Sequence, residues 1–226
     1  MADNPSRARQ EPLILPIGHF TGVFPDEDDP RGRRYDVRLG DEIVALPEAG
    51  FGVWVLCHGH PGDAAEASGP AAEGSGNGRP WTRSEALAYA QAKGVSDAAA
   101  TLRELAGAGL VVEAPTGGRQ ARQFAESYRL RPSLLGLGNS PEEPDMFQIG
   151  LVGTPMVRVS RDLFEIWRWS GVAANIWDAC MIFTDSERAH GESFSGWTDP
   201  EEALTSILGT AHQLLSAGAA YLDQAD

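Results

Sequence analysis

The sequence predicts an α+β protein of two tandem winged-helix-like units, each with an N-terminal β-hairpin. Three observations carry this. A stretch alternating apolar and polar residues about a glycine occurs at Tyr35–Leu46 and again from Met146. A Phe-x-x-Trp pair follows each stretch at the same spacing, at Phe51/Trp54 and Phe164/Trp167. Later still, Trp81-Thr82-x-x-Glu85 is echoed by Trp197-Thr198-x-x-Glu201. Trp and Phe are uncommon residues, so their recurrence in one order points to internal duplication of a unit of about 80 to 100 residues.

The elements follow in chain order. Residues 1–34 form an N-terminal segment in which "EPLILPIGHF" supplies one strand and "PDEDDPRGRR" a charged turn. The first unit spans residues 35–133. "YDVRLGDEIVAL" reads as two strands joined at Gly40-Asp41. Pro47 suits the first turn of a helix carrying Phe51, Val53, Trp54, Val55 and Leu56, although Gly50 and Gly52 weaken it. Residues 61–80 are a low-complexity loop. Thr82 and Glu85 have the spacing of a capping box, with Trp81 as staple. A further helix begins at Ser96 or Asp97, carries Leu102 and Leu105 on one face, and ends at Gly109 before the strand "LVVEA". "RQFAESYRLRP" is expected to return as that strand's partner, completing a wing.

Residues 134–145 read as a Gly/Pro-bearing linker and 146–226 as the second unit. A gapless alignment puts Gly40 on Gly153, Ile43 on Met156, Val44 on Val157, Leu46 on Val159, Phe51 on Phe164 and Trp54 on Trp167. The second copy replaces the flexible loop with "VAANIWDACMIF", expected to add a helix, and leaves little room for a full wing.

The hairpin "VRLGDEIVALPEA", the helix "VWVLCHG", "WTRSEALAYAQAKGV" and "ATLRELAGAGLVV" together resemble PqqD-like domains, also called RiPP recognition elements. The likeness covers roughly residues 36 to 112, with the second unit a weaker echo. It implies a module that holds a precursor peptide for a modifying enzyme, the peptide adding as a strand to the N-terminal sheet and resting against a helix. By that implication Val37, Leu39, Leu102 and Leu105 are candidate peptide contacts, by β-augmentation.

A winged helix can instead serve DNA, with a recognition helix in the groove and a wing on the backbone. Arg103 on the candidate recognition helix, and Arg119 and Arg122 by the expected wing turn, are the nucleic-acid candidates. The net charge of −14 and pI near 4.7 oppose nonspecific nucleic-acid binding and suit a partner with basic segments.

No catalytic motif or dinucleotide fingerprint is present, so a non-catalytic protein without cofactor is expected. Cys57, His58 and His60 are possible zinc ligands, needing Cys180 or His190 as a fourth, but nothing in the spacing demands a metal, and none is expected. Two distant cysteines and no signal-peptide or membrane-spanning run lead to a cytoplasmic expectation. A homodimer is compatible with duplicated units.

Overall fold

The computed structural model describes residues 11–26, 29, 32–59, 80–189 and 197–225. It is a mixed α+β structure with small antiparallel sheets. In chain order the strands are β1 (Leu13–Pro16), β2 (His19–Pro25), β3 (Arg33–Leu39) and β4 (Glu42–Leu46). Helices α1 (Glu48–Leu56), α2 (Arg83–Ala92) and α3 (Ala98–Gly107) follow, then β5 (Val111–Ala114) and α4 (Gly118–Ser127). Next come β6 (Tyr128–Pro132), β7 (Leu135–Gly138), β8 (Met146–Leu151) and β9 (Thr154–Ser160). Helices α5 (Arg161–Ser170), α6 (Ile176–Ala189) and α7 (Pro200–Ser216) lead to β10 (Ala220–Gln224).

The repeated pattern has a structural counterpart. β2-β3-β4 and β7-β8-β9 are three-stranded meanders, and each is followed by helices and a closing strand. A register shift falls between Phe20 and Gly22 in the first meander and between Gly136 and Gly138 in the second. The helix before each closing strand ends alike: Leu110 N–H donates to Leu105 O at 2.9 Å and Ala219 N–H to Leu214 O at 2.8 Å. Gly109 (φ +74°) and Gly218 (φ +64°) make this reversal, which needs the left-handed region that glycine enters without steric cost.

The aromatic residues are duplicated in space as well. Tyr35 stacks on Phe51 with centroids 4.4 Å apart, and Phe51 lies 5.8 Å from Trp54. Phe147, Phe164 and Trp167 repeat this at 4.8 and 5.6 Å. Both tryptophans are buried and both indoles donate, Trp54 Nε1 to Ile17 O at 3.2 Å and Trp167 Nε1 to Ala219 O at 3.0 Å. A buried indole N–H needs such an acceptor.

The closing strands depart from the sequence-based expectation. "RQFAESYRLRP" is not a returning wing strand: residues 118–127 form α4, which buries Ala121, Phe124 and Ala125. That i, i+3, i+4 spacing is one face of a helix. β5 pairs instead with β1, Leu13 opposite Ala114, and β6 pairs with β10, Leu130 opposite Leu222. "EPLILPIGHF" therefore gives two strands where one was expected, because Gly18 (φ +101°) breaks the run. A strand, β7, lies inside the stretch read as a linker.

β1 is buried along its whole length and serves two cores. Ile14 packs with Val37, Trp54, Trp81, Leu102 and Leu105, while Leu13, Leu15 and Ile17 pack with the second copy's residues, among them Leu208 and Leu222. Alternation along a strand makes this division natural, since successive side chains leave on opposite faces.

Candidate peptide-docking edge

β4 is an edge strand of the first meander. It pairs with β3 on one side, Val37 opposite Val44 and Tyr35 opposite Leu46. No described strand pairs with its other side, where a row of backbone donors and acceptors is available to a further strand. Leu46 is buried, anchoring the strand to the core, while Glu42, Ile43 and Ala45 are exposed, Ile43 to 55%. Pro47 ends the strand as the N-cap residue of α1, which covers the inner face of the sheet with Val53 and Trp54.

The equivalent edge of the second copy, β9, is interrupted at its turn end. Pro155 lacks an amide hydrogen, and the register shifts between Ile149 and Gly150, leaving Met156 as the extra residue of a bulge. Gly150 is required there, because a Cβ would lie 2.8 Å from Met156 N and 2.9 Å from Pro155 Cα. This bulge corrects the gapless alignment. Gly40 is the first turn residue after Leu39, whereas Gly153 is the second after Leu151, so Gly40 does not match Gly153 and Ile43 does not match Met156. From Val44 and Val157 onward the alignment agrees with the pairing, each lying opposite the buried Val37 or Ile149.

The helix starts differ as well. Thr82 Oγ1 accepts from Glu85 N–H at 3.4 Å, as a cap should. In the second copy the cap is Asp199, which accepts from Glu201 N–H at 3.0 Å, and Thr198 lies outside the helix.

The candidate peptide contacts fall mostly in the core. Val37, Leu102 and Leu105 are buried together with Trp54, and Leu39 is half-buried where the two cores meet. They shape the sheet and the helix behind the edge and do not themselves present a surface. Of the nucleic-acid candidates, Arg103 is exposed on α3 beside Glu104. Arg119 and Arg122 are not on a wing: both lie on α4. Arg122 pairs with Glu126 at 2.9 Å and sits over the Trp177 ring at 4.3 Å.

The turn leading into β4 is held by the second copy. Gly40 N–H donates to Asp223 Oδ1 at 3.0 Å, and Arg38 donates to the Tyr221 hydroxyl at 3.0 Å. Asp223 is 1% exposed and lies 3.8 Å from Arg38 Nη1 and 3.9 Å from Arg129 Nη2. His19 packs on Tyr221 with ring centroids 4.4 Å apart. Burial and the Arg38 guanidinium push the His19 imidazole below its usual range, against the pull of Asp223. Sequence reasoning missed this junction, because its members lie at opposite ends of the chain and form no local motif.

Cys57 and His58 stand at the end of α1, with His212 near His58. Burial holds the Cys57 thiol up at about 12 and pushes the His58 imidazole down to about 4. Among the described residues no group of three or more His, Cys, Asp or Glu side chains is placed to hold a metal ion. His60 and His190, weighed as ligands from the sequence, lie outside the described residues. Among the described residues no helix is long and apolar enough to cross a membrane. Comparison of the chain with protein-family models, curated proteins and solved structures gives no match.

Proposed function

We propose that this chain is a non-catalytic adaptor built on two tandem winged-helix-like units. It binds an extended segment of a peptide or protein partner, and its resemblance to PqqD-like domains suggests that it presents that segment to an enzyme. The observation that carries the reading is the contrast between the two edges. One copy keeps a proline-free strand without a register shift open beside a helix-backed sheet, and the other interrupts the same strand at its turn end with a proline and a bulge. A strand-forming segment gains backbone hydrogen bonds at β4 and selectivity from the side chains flanking it.

The DNA-regulator alternative rests on Arg103, exposed on α3, and on Arg119 and Arg122, which occupy a helix and not the expected wing. The test is capture of partners from native lysate after nuclease treatment, followed by amide hydrogen exchange of the complex. Slowed exchange at amides within Ile43–Leu46 supports strand addition. Protection confined to other elements, or capture that depends on intact nucleic acid, overturns it.

A further inference from the structure

Resting on that reading, we infer that the segment received by β4 carries a basic residue near each end of an apolar middle. The charges around the edge are arranged for it. Asp41 and Glu42 stand at the turn end of β4, and Glu48 opens α1 just beyond the other end. All three are exposed, and none forms a salt bridge within the described residues. Between them the exposed side chains are apolar, Ile43 and Ala45.

The second copy shows that the fold does not require these carboxylates. By strand pairing, Gly153 and Thr154 occupy the positions of Asp41 and Glu42, and in the helix alignment that matches Phe51 to Phe164, Arg161 stands at the position of Glu48. A turn and a bulged strand form there without Asp41 and Glu42, and the helix that follows has its first-turn acid one position later, at Asp162. Asp41 and Glu42 therefore accompany the uninterrupted edge, and the interrupted edge lacks them.

Strand geometry sets the spacing of the partner's charges. A residue opposite Glu42 and one opposite Leu46, where the chain turns into Glu48, are four apart on the added strand. They share one face, because side chains alternate with period two. At about 3.3 Å per residue they stand roughly 13 Å apart. The partner segment thus has the form basic, three β-forming residues, basic.

A phage-displayed library of random twelve-residue segments, selected on the full-length chain and in parallel on a Glu42→Arg/Glu48→Arg variant, tests this. The expected result is enrichment of Lys or Arg at positions i and i+4 on the native chain. On the variant that enrichment falls at least tenfold and Asp or Glu replaces it. Selection of segments that protect β4 amides without charge preference, or with a preference that survives the reversal, overturns the inference and leaves strand addition standing. If no segment is selected, or if those selected leave β4 amides unprotected, the strand-addition reading fails and the inference with it.

Discussion

His212 Nε2 lies 2.8 Å from Ile14 O, joining the penultimate element of the chain to its first strand. Both residues are buried, so the imidazole must carry its proton on Nε2 to satisfy the carbonyl. Gly59 sits against the same histidine, where a Cβ would come within 3.2 Å of His212 Cβ. Here the first copy's helix end, its first strand and the second copy's long helix meet.

His212→Leu removes this donor and leaves a buried carbonyl unpaired, at a cost of about 1–3 kcal/mol. Urea unfolding monitored by circular dichroism reads it. An unchanged midpoint and slope would show that the contact contributes nothing.

Low pH acts through His58. Burial pushes its imidazole down to about 4 from an ordinary 6.5, so between these values the unfolded chain binds more protons. Stability is then complete above about pH 6.5 and declines as pH falls toward 4, by an amount on the order of 3 kcal/mol for this group. A His58→Gln variant should show a shallower decline over that window. Proton NMR of the histidines gives the direct check, and an imidazole titrating near its ordinary value would contradict the burial described.

The thiols of Cys57 and Cys180 are buried and held at about 12, so neither supplies thiolate at about pH 8. A disulfide reagent should leave the native protein unlabelled and titrate both thiols in guanidinium. Rapid labelling of either before unfolding would mean that the core opens locally.

Two glycines should respond in opposite directions to alanine. In Gly52→Ala the new methyl meets nothing within 4 Å on α1, and the variant gains roughly 0.5–1 kcal/mol from helix propensity. In Gly150→Ala it collides with backbone at the bulge, and stability should fall by more than that gain. Thermal unfolding of the two variants side by side gives the comparison.

Replacing Asp223 by Ala removes the carboxylate beside Arg38 and Arg129 and frees the turn at Gly40. Loss of the Gly40 hydrogen bond to this carboxylate costs about 1–3 kcal/mol. The more telling readout is hydrogen exchange, which should rise at the Gly40 amide. If exchange there stays slow, the turn is held by its own hairpin.

What was legible in the sequence is what local pattern determines. Phe51/Trp54 and Phe164/Trp167 announced equivalent helices because helix-facing residues recur at fixed spacing, and the helix expected from "VAANIWDACMIF" is α6. The strand partners were not legible. β1 finds β5, and β6 finds β10, across most of a copy's length, and no short-range signal specifies such a pairing. α4 was masked by the alternating Tyr128–Arg131 stretch that follows it, while its own Ala121, Phe124 and Ala125 had the helical period. The edge contrast was hidden for another reason: a gapless alignment cannot show the extra residue at Met156.

The shared position of β1 bears on the order in which the chain can be completed during synthesis. Leu13, Leu15 and Ile17 leave the ribosome well before Leu208 and Leu222, which lie in the second copy and help to cover them. Until α7 and β10 arrive, a nascent first copy carries an uncovered apolar stripe along its own strand. Proteolysis or truncation between the copies would reproduce that state, so each half, cut from the other, is expected to aggregate before it reports any binding of its own.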